Sequence, residues 1–355
     1  MESTRGWPAA TALLSCTVLS LVGLTWDVQW HEDVGPDTFF TLPHLFIYAG
    51  SALAGVISLA VVLAMTAAQR AGRPVDATVG GRAIGVFGRT FAAPLGYLVS
   101  GTGAALVLAY GLWDQWWHGL YGFDAVIDSP PHIGLLLSIM ITMVGAVIVF
   151  AAARHSRWGK VGMFAAVGVL LAFSTITVLG LSALDGTVDA TTVGLAVLST
   201  IVVLLSAAVR RGGALVTAVA LALIQAFSWW FSPWAARVYA DGVGLPVRDY
   251  VSDVPAMPSL MPMGLIVVAL AVEVLLLGRN GRLVPVAGAV AGALVAFGQF
   301  AQRSWLYDVA LPDPATTLAT TGVAALAGAL AGFAGWRFGE MLRLVAPEPV
   351  TAKEH

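Results

Sequence analysis

The sequence predicts an all-α polytopic membrane protein of about ten transmembrane helices, and three observations carry that expectation. Of its 355 residues, 58% are hydrophobic and only 11% are charged, against roughly 25% charged in ordinary soluble domains. Mean hydropathy is +0.85. Apolar runs long enough to cross a bilayer as helix, about 20 residues each, recur along the whole chain. They are continuous rather than alternating segments of about ten residues, which excludes strands as the spanning element.

Taken in order, the spans fall near 9–30, 43–67, 91–113, 132–153, 161–181, 193–209, 212–231, 259–277, 283–301 and 316–336. The first is read as a span and not a cleaved signal. It lacks a small-residue cleavage site and ends in Trp26, Asp27, Trp30 and His31. Basic residues orient the rest. Arg70, Arg73, Arg82, Arg89, Arg154, Arg157, Lys160, Arg210, Arg211, Arg279 and Arg282 fall in loops that join even to odd spans. With Arg5, Arg337, Arg343 and Lys353 they place 15 of the 18 Lys and Arg residues on one side. Only Arg237, Arg248 and Arg303 fall opposite. By the positive-inside rule the chain is a multi-pass cell-membrane protein with both termini cytoplasmic. The other face is acidic and tryptophan-rich, with Asp27, Asp37, Asp114, Asp124 and Asp128 among its residues, and Trp26, Trp30, Trp113, Trp117 and Trp234 in an interfacial belt.

On that extracytoplasmic face a pattern is written twice. The first copy reads Trp26-Asp27-x-x-Trp30-His31, then Gly35-Pro36-Asp37, then Pro43-His44. The second reads Trp113-Asp114-x-x-Trp117-His118, then Gly122-Phe123-Asp124, then Pro130-Pro131-His132. An Asp and a His four apart share one helix face, with Cβ atoms roughly 5–6 Å apart. Proline is tolerated in a first helical turn, so Pro43 and Pro131 open the following spans with a histidine beside them. Each hairpin can thus close two imidazoles and a carboxylate around one ion: Asp27, His31 and His44 in spans 1–2, Asp114, His118 and His132 in spans 3–4. That donor set suits divalent copper, zinc or non-haem iron and leaves positions open for water or substrate. Four of the six histidines belong to it. The other two, His155 and His355, sit in a basic loop and at the terminus, where they are read as solvated. The duplication divides the chain into residues 1–153, carrying both sites, and 154–355, a second transmembrane half of six spans with an outer loop at 232–258.

Asp27-x3-His31-x12-His44 resembles a copper-ligand motif carried by one of the membrane subunits of the copper-dependent membrane monooxygenases, the particulate methane and ammonia monooxygenase family. The second copy is similar to the neighbouring site of the same polypeptide, where an Asn normally stands at the position of Asp114. The resemblance covers roughly residues 20–135. It implies copper, O2, a small apolar substrate and membrane partner subunits. Asp114 departs from the family pattern and hardens the second site.

Other residues carry weaker signals. Met257, Met261 and Met263, in a proline-rich stretch at the mouth of span 8, offer thioethers that favour Cu(I), or serve as flexible core fillers. Glu273, deep in span 8, is read as a proton relay or as a carboxylate snorkelling towards Arg279. Gln225, Gln299 and Gln302 offer polar contacts inside the bundle, and the Gly- and Ala-rich spans 9 and 10 offer close helix packing. Cys16 is the only cysteine, so no intramolecular disulfide, haem attachment or iron–sulfur spacing exists. No basic-aromatic patch points to nucleic acid, and no Walker loop, dinucleotide fingerprint or Ser-His-Asp set stands in a suitable context.

Three readings stay open at this point. The first is a copper-containing, monooxygenase-like oxidoreductase, fed with electrons by a quinol or a partner. The second is a transition-metal transport or handling protein, with the same ligands feeding a path past Met261 and Glu273. The third is a metal-stabilised structural subunit of a larger complex or homo-oligomer. Iron and zinc are the alternative ions throughout.

Overall fold

The computed structural model describes residues 5–122 and 129–346. Phe123, Asp124, Asp128, Lys353 and His355 lie outside the described residues. Among the described residues, ten helical segments are long and apolar enough to cross a membrane. They comprise α1 (Trp7–Asp33), α2 (Leu42–Arg70), α3 (Leu95–Tyr121), α4 (Pro130–Ala152), α5 (Arg157–Thr177) with its 3₁₀ extension Val178–Leu184, and α6 (Ala190–Val209). After these come α7 (Gly213–Val243), a broken span of α8 (Ala256–Leu260) and α9 (Leu265–Leu275), α10 (Val284–Tyr307) and α11 (Pro314–Val345). Between α2 and α3 lies a short antiparallel hairpin, β1 (Ala83–Val86) and β2 (Phe91–Pro94), paired Ala83 to Pro94 and Val86 to Phe91.

Helix α1 packs along α2, and α3 along α4; α1 also touches α5 and α7, while α6, α10 and α11 form the opposite flank. One buried apolar cluster runs from Ala10 on α1 to Leu342 on α11. Small residues set the closest approaches. A methyl at Gly103 of α3 would sit 2.5 Å from the Thr142 backbone nitrogen on α4. On the far flank, a Cβ at Gly288 of α10 would sit 2.3 Å from the Gly328 carbonyl of α11. The Gly/Ala-rich helices therefore meet backbone to backbone, as small-residue interfaces in membranes do.

Several boundaries differ from those expected from hydropathy, α10 reaching Tyr307 and α11 Val345 among them, and three bear on the site. Residues 91–94 belong to β2, whose Ala92 N–H donates to Thr66 Oγ1 at 2.9 Å, so α3 starts at Leu95. It also continues past 113 to Tyr121, which puts Asp114 and His118 on its last turns. Helix α7 runs through Pro233 to Val243, so the outer loop begins later than 232. Its extra turns are held by packing: Ala235 and Ala236 lie against Trp26, and Ala240 against Trp30.

The broken span shows how a bilayer tolerates a proline-rich interruption. Carbonyls freed near Pro258 and Pro262 must find donors inside the protein. Gln225 Nε2 donates to the Pro258 and Met261 carbonyls, Gln299 Nε2 to Leu260, and Gln302 Nε2 to Ser259 and Met261. Gln302 Oε1 accepts the Met263 N–H at 2.8 Å. The three glutamines are thus backbone partners of the break.

Candidate metal centre

The first site grows out of the end of α1. Asp27 and His31 lie one turn apart on its final stretch. The chain then turns at Gly35, whose φ of +103° an L side chain rarely adopts. Trp30 Nε1 donates to the Pro36 carbonyl at 2.8 Å and fixes that turn. Helix α2 starts at Leu42 with proline in its first turn, which brings His44 back over α1. His44 Nε2 stands 3.1 Å from Asp27 Oδ1, and His31 Nε2 stands 3.9 Å from the same oxygen. The second site repeats the construction: His118 Nε2 is 3.3 Å and His132 Nε2 3.7 Å from Asp114 Oδ2. In each triad the three ligand atoms lie within 4.8 Å of one another.

Two features fit these triads to a cation. A metal with ligands at about 2.0–2.2 Å separates neighbouring ligand atoms by roughly 3.3–3.6 Å when tetrahedral. The contacts of 3.1–3.9 Å straddle that value. Asp114 Oδ1 is also buried with no hydrogen-bond partner, a costly arrangement for a carboxylate oxygen without a cation. Ring orientation agrees. His44 Nδ1 lies 3.0 Å from the Thr38 carbonyl and His118 Nδ1 2.9 Å from the Gly122 carbonyl. A carbonyl only accepts, so Nδ1 carries the proton, and a ring that gives up its Nε2 proton to a cation would present that lone pair to the triad. His132 Nδ1 pairs with Ser129 Oγ at 3.0 Å.

Both triads open on one cavity of ≈ 430 Å³, within the range of small-molecule pockets. Its wall combines the six candidate ligands with Asp37, Glu32, Tyr48 and Arg248, while Leu24, Val28, Ile47, Leu135, Leu136, Ile139, Ile176 and Leu179 supply an aliphatic part. Tyr48 lies 5.9 Å from His44 and 4.9 Å from Phe39, ring centre to ring centre.

The motif pattern contained Asp37 as a turn residue, yet its Oδ2 stands 3.4 Å from His31 Nε2 and 3.5 Å from His44 Nε2. Burial pushes the Asp37 carboxyl up, but the His31 hydrogen bond and the charge of His44 outweigh burial and hold it below the usual carboxylate range. Arg248 reaches the site from the loop after α7. Its guanidinium donates to the His31 and Glu32 carbonyls at 2.8 and 3.2 Å, and its backbone N–H donates to the Asp33 carbonyl at 2.8 Å. It therefore caps the free carbonyls at the end of α1. No short motif marks such a residue, more than 200 positions from the helix it closes.

The remaining expected residues lie elsewhere. Trp30 and Trp117, beside the motif residues in sequence, line no part of the cavity: Trp30 is buried against Tyr239 and Trp117 packs on Tyr121. Met257 and Met261 are fully buried in the apolar core, and Met263 is half-buried beside the break; none of the three lines the cavity. Glu273 is tied to the backbone at the start of α7. Its two oxygens accept the Gly212 and Ala214 N–H groups at 2.9 and 3.0 Å, so it caps the start of α7.

Comparison with protein-family models, with curated proteins and with solved structures returns no match to this chain.

Proposed function

We propose that this chain is a membrane-embedded, copper-containing oxidoreductase that uses O2 on a small apolar substrate. The observation that carries the reading is the shared cavity: two His/Asp triads open on one space that eight aliphatic side chains also line. The resemblance of residues 20–135 to the copper-ligand motif of the copper-dependent membrane monooxygenases supports copper over zinc or iron. The matching spacings of the two copies support a duplication of the α1–α2 and α3–α4 hairpins. Bound in the triads, copper supplies a redox centre and Lewis acid with positions left open to O2 and substrate.

The chain's own residues do the rest. Thr38, Gly122 and Ser129 orient the imidazoles through their Nδ1 atoms. Leu135, Leu136, Ile139 and Ile176 bind an apolar molecule and keep bulk water away from the ligands. Tyr48 brings a phenolic proton to the same wall.

Exposed Leu53, Val56, Leu59, Leu63, Leu108 and Leu112 on α2 and α3 would be costly against water and mark a lipid-facing surface. The end of the bundle bearing Arg70, Arg154, Arg210 and Arg279 lies in the cytoplasm, with the triads on the extracytoplasmic side. Electrons reach the site from a quinol in the bilayer or from a partner subunit. The metal-transport reading is less favoured, since Glu273 caps α7 and glutamines hold the backbone of the Met257–Met263 break.

Elemental analysis of detergent-purified protein tests the proposal. Copper at about one to two equivalents is expected, reduced in His31→Ala and in His118→Ala. Oxygen uptake with a quinol and small hydrocarbons or ammonia then follows. Wild type and both variants equally free of transition metal would sink the reading. Bound copper without oxygen uptake under any donor would leave a metal-stabilised scaffold.

A further inference from the structure

We propose that Asp37 is a fourth protein ligand of the first site, making it a centre of two imidazoles and two carboxylates; this rests on the reading that the Asp27 triad holds a metal ion. Asp37 lies outside both helices, in the turn between α1 and α2, and its side chain is only 4% exposed. Its two oxygens are divided between tasks. Oδ1 accepts the Thr38 N–H at 2.8 Å, which fixes the carboxylate in the turn. Oδ2 faces the same two nitrogens that Asp27 Oδ1 faces, at 3.4 Å from His31 Nε2 and 3.5 Å from His44 Nε2.

Nitrogen and oxygen thus alternate around a closed ring of four atoms, with the Asp27 contacts of 3.9 and 3.1 Å completing it. These are four of the six edges of a four-ligand set, and they scatter around the roughly 3.3–3.6 Å expected about one tetrahedral ion. Charge supports the same assignment. Once an ion has displaced the Nε2 protons, the two carboxylates would stand beside neutral imidazoles, a costly pair to bury together, and one divalent ion would neutralise them. Gly35 lets the turn exist: its φ of +103° carries the chain from His31 round to Asp37, so the second carboxylate meets the ligands on α1 and α2. A carboxylate that merely oriented one imidazole would address one ring, and at the ring nitrogen facing away from the ion. Asp37 faces both rings at the nitrogens turned towards Asp27.

The test uses full-length protein in detergent, stripped with a chelator and reloaded with Cu2+ alone, in a His118→Ala background so that copper reports on the first site. Asp37→Asn removes the charge but keeps the oxygen that accepts from Thr38. It is expected to lower copper affinity by about tenfold to a hundredfold and to change the copper electron paramagnetic resonance spectrum. Asp37→His restores affinity and adds a third nitrogen to the hyperfine pattern. An affinity loss with an unchanged spectrum would make Asp37 a positioning residue and overturn the assignment. So would Asp37→Asn binding copper as its parent does while His31→Ala loses it. If His31→Ala in the same background also binds copper undiminished, the metal reading of the triad itself fails.

Discussion

At the scale of single residues, the first site depends on a side chain that belongs to neither of its helices. Arg248 ties the His31, Glu32 and Asp33 carbonyls, and a Cβ on Gly35 would collide with it at 2.0 Å from Nη2. Arg248→Ala frees the His31 and Glu32 carbonyls and lets the last turn of α1 fray, carrying His31 with it. The expected result is a loss of about tenfold or more in metal affinity at the Asp27 triad, as for other supporting residues around metal ligands. The Asp114 triad should bind as before, because its ligands take their support from Gly122 and Ser129. Calorimetric titration in His118→Ala and His31→Ala backgrounds separates the two sites. Equal weakening of both would show that Arg248 supports the bundle as a whole. This residue also marks a limit of sequence reading. The Asp27–His31 pair is legible because helical periodicity alone puts the two on one face. Arg248 and Asp37 are not, because their positions depend on a loop path and on a left-handed glycine that no local pattern dictates.

Among elements, hydropathy located every span, since lipid demands continuous apolar helix. It misplaced ends wherever packing, not apolarity, decided them. Helix α7 outlasts its apolar stretch because Ala235, Ala236 and Ala240 have Trp26 and Trp30 to cover. Helix α3 continues through Asp114 and His118 because both side chains are buried against neighbours. The glycine contacts separate stability from function. Gly288→Leu on α10 forces a side chain against the Gly328 carbonyl, an overpacking expected to cost about 1–3 kcal/mol or more. That interface does not touch the cavity, so folded protein should retain its full metal content. Gly103→Leu collides with the Thr142 nitrogen and Oγ1, each at 2.5 Å, and with the Ser138 carbonyl at 2.7 Å. It wedges apart the hairpin that carries the Asp114 triad. Thermal melting in detergent should show both variants destabilised. Metal analysis of the folded fraction should show a deficit only in Gly103→Leu. A matching deficit in Gly288→Leu would mean that the two flanks are coupled.

Across the whole molecule, the two halves read from the sequence are one object at the site. Residues 1–153 supply all six expected ligands, yet they do not build the cavity alone. Ile176 and Leu179 come from α5 and its extension, and Arg248 from the loop after α7. Helix α7 buries Trp26 and Trp30, and Gln29 Oε1 accepts the Ala256 N–H at 3.0 Å. Each tie crosses the boundary at residue 153, and those from Arg248, α7 and Ala256 hold the C-terminal end of α1, where Asp27 and His31 sit. A chain cut in the exposed turn at His155 therefore should not bind metal at the Asp27 triad when its first part is made alone. Uncovering Trp30, which is 1% exposed, forfeits packing on the order of 3–5 kcal/mol, more than a lone hairpin pair can replace. Co-expression of the two parts should restore both association and metal binding, because the buried interface between them survives the cut. The measurement is metal per polypeptide after co-purification through a tag on the second part. A first part that holds its full metal content in isolation would show that the hairpins are a self-sufficient metal module and that the second half serves another purpose.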